Sequence, residues 1–338
     1  MLFYKSDKLC GLLFLFVSFF NFNCSLNNET ELNKIFEESL KFQLGENPLY
    51  TNHEFWYDLQ SKDTPYSINS NMPSMRMEDI NRREIFWKKI NERLLKINFD
   101  LLSPTQKINY RIFSRMVSER INDIKFKSFL MPINTDSGFH TGLIRIQRAM
   151  PFNTINDYKN YILRLNEFPR YFDDQINLMR EGLRLGITIP KDVLDDYELT
   201  ISAYIVSDPE QSLFFTPFKE IPKNIPKSDR EELIMNGSKA ILNSVVKAYG
   251  DLFDFFINEY IPGARISLGA SQMPNGVEYY QFKVKQFTTL DYTPEEVHQI
   301  GLNEVARIKN EMKSIIDEVG FKGEFREFLE FLRMDKRF

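Results

Sequence analysis

The chain has 338 residues, 43% of them apolar and 14% aromatic, with 43 Lys and Arg set against 47 Asp and Glu. That is ample for one large domain or two smaller ones, and a near-balanced charge without an aromatic-studded basic stripe argues against a nucleic-acid partner. Both cysteines, Cys10 and Cys24, fall at the N-terminus, which excludes an intramolecular disulfide, a thiol nucleophile and a cysteine-held metal from the rest of the chain.

Lys5 and Lys8 precede an apolar run, Leu9 to Phe22. The run is short for a membrane span and fits a secretory leader. Cys24 and a polar "SLNNET" follow. The pattern is that of a lipoprotein leader, residues 1–23, with Cys24 lipidated as the first mature residue. Asn21, Phe22 and Asn23 stand where small residues are usual, so an uncleaved signal anchor is the alternative. Either way the expectation is an exported protein, membrane-anchored or periplasmic, that meets the membrane only through its anchor or leader.

Helical spacing dominates the chain after the leader. "ELNKIFEESLKFQL" puts Leu32, Ile35, Phe36, Leu40 and Leu44 on one face. A loop is expected from Asn47 to Ser74, then a helix with Ile80, Ile85, Ile90 and Leu94. Ser103-Pro104-Thr105-Gln106 reads as a capping box opening a helix that carries Ile108, Ile112, Met116 and Ile121. Lys127 to Asn153 is a long irregular stretch, and such stretches inside compact domains are often functional. Thr154 with Asp157 opens the next helix, ending near Pro169. "YFDDQINLMREGLRLG" is another, closed by Gly186. Pro190 starts one through about Val206. A Pro-punctuated connector then leads to Ser228 and Glu231, a capping box before a helix reaching about Tyr260. Val277 to Phe287 fits strand or helix, and Tyr280, Val284 and Phe287 on one face favour helix. Thr293-Pro294-Glu295-Glu296 starts a helix to about Val319, with Val297, Ile300, Val305, Ile308, Met312 and Ile315 expected inward. The fold expected is mainly α, with few or no strands.

Chemistry is sparse. His53-Glu54 lacks the second His at i+4 that a helical zinc motif needs, since Tyr57 stands there. His298 sits among helix-capping carboxylates and reads as structural. His140, in "DSGFHTG" between Gly138 and Gly142, either lines a groove or holds its loop. Asp173-Asp174 and Asp195-Asp196 read as solvated helix faces. Arg265, in the turn-rich "ARISLGASQMPNG" with Asn275, is suited either to clamp a carboxylate or to make a structural bridge. No G-x-S-x-G elbow and no P-loop occurs.

Three segments carry a family resemblance: "MPFNTINDYKNYILRLNEFPRYFDDQINLMREGLRLGITIPKDVL", "EYIPGARISLGASQMPNGVEYYQFKVKQFTTLDYTPEEVHQIGLNEVARIKNEM" and "GFKGEFREFLEFLRMDKRF". Together with "SGFHTG" they resemble the bacterial domain-of-unknown-function 885 family, over roughly Leu32 to Phe338. The resemblance implies the helical N-terminal half of a zincin-like metallopeptidase fold, 24–338, incomplete at its C-terminus. It implies zinc in the full-length protein, held by a His-Glu-x-x-Pro-Gly-His element that this chain lacks, so no catalytic residue, metal ligand or cofactor is assigned within it. The function expected is one wall of a peptide groove in an exported zinc-dependent peptidase, with His140, Arg265 and Asn275 near the substrate. The alternative is a non-catalytic helical binding or scaffold lipoprotein.

Overall fold

The structure, a computed structural model, describes residues 28–48, 71–135 and 137–337. The leader with Cys24, His53-Glu54 and most of the Asn47–Ser74 loop lie outside the described residues. The chain divides into two compact units, one up to Pro274 and one from Asn275 to Phe338. Both are helical, and among the described residues the only β pairing is an isolated bridge between Ile133 and Gly138.

In the first unit, α1 (28–46), α2 (Met77–Leu94) and α3 (Pro104–Lys125) enclose a core of Leu32, Ile35, Trp87, Ile90, Leu94 and Val117. Aromatic rings decide which face of α3 turns inward. Tyr110, Phe113 and Met116 pack on this core, whereas Ile108 and Ile112 stay 60% and 65% exposed. On α2, Ile85 is likewise exposed. The capping box expected at Ser103 does not form. Its side chain caps nothing, and Gln106 instead donates to Asn33 at 3.0 Å.

The stretch after α3 is irregular but tightly wound, with 3-10 turns at Ser128–Leu130 and Leu143–Ala149. α4 (Ile155–Asn166) opens on the expected Thr154–Asp157 capping box. α5 (Phe168–Leu185) carries Pro169 in its first turn and closes on Gly186, whose φ of 70° suits a residue without Cβ. The helix expected from Pro190 is broken into a 3-10 turn at Lys191–Val193 and a short α6 (Leu199–Ser202). The Lys191 N–H donates to the Arg265 carbonyl at 2.8 Å and ties this turn to the later segment.

After α7 (Thr216–Lys219), one long helical run follows: α8 (Lys227–Ala240), a π segment (Ile241–Val246), α9 (Lys247–Phe255), a second π segment (Phe256–Tyr260) and α10 (Ile261–Gly263). Its start also departs from expectation. Pro226 holds the cap position, and the Ser228–Glu231 box is absent. With α4 and α5 this run builds the larger core, including Tyr161, Phe168, Phe172, Val245, Tyr249 and Phe256.

One polar knot ties the segment before α2 to α5. Asp174 is only 7% exposed and accepts from Arg170 Nη1 at 2.9 Å and from the Met75 N–H at 3.2 Å. Arg170 also donates to the Met72 carbonyl at 3.0 Å. Asp174 is thus a buried structural partner, not the solvated residue its helical setting suggested.

The second unit holds α11 (Gly276–Thr288), α12 (Pro294–Glu318) and α13 (Phe325–Met334). The helix favoured for Val277–Phe287 is present, and the Thr293–Glu296 capping box opens α12. The inward face expected for α12 is not buried. Val305, Ile308, Met312 and Ile315 are 37–66% exposed, while Ile316 on the neighbouring row is covered.

Gly182 offers a direct check of the α5 packing. A Cβ there would lie 2.7 Å from the Ile187 carbonyl oxygen and 3.1 Å from that of Leu130, both fixed backbone atoms. Gly182→Ala is expected to cost about 1–3 kcal/mol, as overpacking does, seen as a lower urea midpoint with an unchanged slope. A variant as stable as the parent would show that this contact yields freely.

Candidate functional site

Two loops singled out by their glycines, around His140 and Arg265, both belong to the first unit. His140 is fully buried. Its Nε2 lies 3.0 Å from Thr200 Oγ1. The Thr200 hydroxyl spends its proton on the Tyr197 carbonyl at 2.7 Å, so it must accept from His140, which assigns the proton to Nε2 and leaves Nδ1 as a bare acceptor. Nδ1 has no hydrogen-bond partner among the described residues. Gly138 explains the close fit. A Cβ there would stand 2.8 Å from Nδ1 and 2.7 Å from the Tyr197 hydroxyl. Two tyrosines tie the loop backbone down. Tyr249 donates to the His140 carbonyl at 2.7 Å, and Tyr197 donates to the Ser137 carbonyl at 2.9 Å.

Arg265 is held by main chain. Its Nε donates to the Thr188 carbonyl at 2.7 Å, and Nη1 reaches the carbonyls of Ser267 and, at 3.0 Å, Gly269. Its own N–H donates to Thr188 Oγ1 at 3.0 Å. The guanidinium therefore staples the turn-rich segment to residues 188–191.

Aromatic contacts run from one loop to the other. The His140 ring lies 5.8 Å from Tyr197, Tyr197 lies 5.3 Å from Phe256, and Phe256 lies 5.6 Å from Tyr260. The Tyr260 hydroxyl is buried, and the nearby Ile189 backbone and Arg265 only partly offset that burial, which lifts its pKa to about 12. Phe256 and Tyr260 sit on the second π segment, a local widening of the helix often found at functional positions. Asn275 adopts φ 55° ahead of α11, in the second unit, and His298 is exposed on α12.

A surface groove that the sequence did not disclose lies between α4 and α8, with a volume of about 490 Å³. Lys159 lines it from α4 and Asp229, Glu232 and Lys239 line it from α8, with Ile162 and Leu233 among its apolar residues. At its end Ser244, on the first π segment, donates to Asn166 Oδ1 at 2.9 Å and joins the two walls. No residue type announces a π turn, so a spacing-based reading passes over it. The mid-helix Gly237 was the available signal. The Phe218 ring fills the place of its Cβ, 2.4 Å away, so α8 lies close against that ring.

These residues offer no zinc site. Among the described residues no three His, Cys, Asp or Glu side chains converge as ligands, and His140 Nδ1 faces a glycine and a tyrosine hydroxyl.

The buried imidazole has a pH consequence. Burial pushes the His140 pKa down from 6.5 to about 4. Between those values the unfolded chain binds a proton that the folded chain refuses. The stability from the neutral imidazole is therefore complete above pH 6.5 and lost as pH falls toward 4, on the order of 3 kcal/mol in all. His140→Gln keeps a donor for Thr200 without titrating. Urea titrations at pH 7 and 4.5 are expected to show a smaller acid loss in this variant than in the parent. Equal losses would mean that carboxylates alone govern the acid limb.

Comparison with known proteins places the chain. A search of solved structures matches a protein described as "the putative lipoprotein from Colwellia psychrerythraea", with 22% identity and a TM-score of 0.78. The match covers 92% of this chain but 55% of that one, so the chain spans little more than half of its structural neighbour. A search of curated proteins returned no match. The model of the family "Bacterial protein of unknown function (DUF885)" matches residues 61–338, and on that extent the chain belongs to the DUF885 family.

Proposed function

We propose that this chain is the helical, substrate-facing half of an exported, lipoprotein-type peptidase. In this reading the α4–α8 groove receives an extended peptide. The groove carries the proposal, because it pairs both signs of charge with an apolar floor. A peptide presents the same three features: an ammonium, a carboxylate and side chains between. Lys159 and Lys239 would take the carboxylate, and Asp229 and Glu232 the ammonium. His140 and Arg265 then act indirectly. One is buried and the other spends its fork on carbonyls, so they hold the wall and leave substrate contact to the groove. Asn275 serves as a turn residue.

Zinc, which the family resemblance suggests, would activate water and polarise the scissile carbonyl, with ligands from outside the described residues. Export with Cys24 lipidated is the matching reading of the leader, supported by the description of the structural neighbour. A second reading is a non-catalytic binding lipoprotein. It draws on the lack of a converging ligand set among the described residues, and it leaves the groove's role unchanged.

The test is to purify the protein expressed from its own reading frame and follow a defined peptide mixture by mass spectrometry. Hydrolysis that a chelator abolishes is expected. Peptide binding without hydrolysis would replace the peptidase reading with the binding one. The double variant Lys159→Glu/Lys239→Glu is expected to weaken binding about tenfold or more, the size of a lost charged hydrogen bond. Unchanged affinity in a folded variant would remove the groove from the proposal.

A further inference from the structure

The turn between α2 and α3 has an unusual surface for an exposed helix connection. Leu95 is 73% exposed, and Ile108 and Ile112 on the first turns of α3 are 60% and 65% exposed. Between Leu95 and Ile112 the charged residues are Lys96, Lys107 and Arg111 against a single acid, Asp100. Lys107 and Arg111 lie over the Phe99 ring, 5.6 and 5.0 Å from its centre, which gathers cations and apolar groups on one patch. Large apolar side chains ringed by Lys and Arg are the composition of segments that lie at a bilayer surface.

Position in the fold gives the patch its partner. The start of α1 is pinned to this turn. The Asn98 N–H donates to Asn28 Oδ1 at 2.9 Å, the Ser103 N–H donates to a Glu29 carboxylate oxygen at 2.8 Å, and Arg93 pairs with Glu31 at 2.6 Å. Four residue steps separate residue 28 from Cys24, at most about 14 Å of chain. A lipid on Cys24, or an uncleaved apolar leader ending at Phe22, therefore holds the α2–α3 turn within a short reach of the membrane. One lipid chain alone binds reversibly, and a basic patch is the usual second attachment.

We propose that the surface from Leu95 to Ile112 docks on an anionic bilayer, with Leu95 and Ile108 entering the interface and Lys96, Lys107 and Arg111 meeting lipid phosphates. The proposal rests on the exported, anchored reading above. Docking fixes the first unit against the membrane at one end of the α1–α3 packet instead of leaving it to swing on its tether.

The experiment uses the full chain, with its anchor in place, reconstituted in vesicles of phosphatidylethanolamine and phosphatidylglycerol. Leu95→Trp, Ile108→Trp and a control, Met235→Trp at an exposed position on α8, are compared after subtraction of the parent's emission. Brominated lipid is expected to quench the first two and spare the third, and raised salt is expected to relieve the quenching. Flotation separates the two claims. If the chain floats with the vesicles but Leu95→Trp and Ile108→Trp are not quenched, the docking surface is overturned and the anchor stands. If the chain does not float, the anchored reading and the docking surface fall together. Equal quenching at Met235→Trp would also overturn the assignment, since it would report a chain embedded without a preferred face.

Discussion

Irregular backbone buried inside a helical core is the constraint on which this fold turns. A buried carbonyl without a donor costs a few kcal/mol, and the segments between helices bring many such carbonyls into the interior. Tyrosine hydroxyls answer them. Tyr161 donates to the Phe214 carbonyl at 2.9 Å, Tyr158 to Pro217 at 3.2 Å, Tyr197 to Ser137 and Tyr249 to His140. Each ring fills the apolar core while its hydroxyl reaches the loop beyond, the dual use that suits tyrosine to such positions. With no cysteine after Cys24, these hydroxyl contacts tie the loops down without an intramolecular disulfide.

The same logic extends to charge. Asp174 and Arg170 bring ionised groups into a partly buried seam, and each spends its remaining capacity on backbone, Met75 N–H for one and the Met72 carbonyl for the other. Arg265 does likewise with Thr188, Ser267 and Gly269. Each of the three also bonds main chain, so its side chain sets the path of a loop. A buried pair breaks even on its own. What it secures here is where the loops run.

The chain belongs to the DUF885 family and shares its fold with a longer solved protein. The first unit has two dense cores, around Trp87 and around Tyr249. The second unit is thinner, and most of the apolar positions of α12 lie open.

Helix identity, the caps at Thr154 and Thr293 and the closing Gly186 were legible in the sequence, because 3.6-residue spacing and cap chemistry are local. The family resemblance was legible too, since it rests on ordered segments over most of the chain. Which apolar row faces inward was not. Ile108 and Ile112 have the right spacing, yet Tyr110 and Phe113 bury more area on the adjacent row. Asp174 and Asp173 look alike in sequence, and only the approach of residues 72–76 buries one of them. The capping boxes read at Ser103 and Ser228 failed because Glu29 supplied the donor's partner in one case and Pro226 moved the helix start in the other. The groove forms where α4 and α8 meet, elements far apart in the chain. Local spacing determined the helices of this protein, and long-range competition for buried donors, acceptors and area decided which of their faces form its sites.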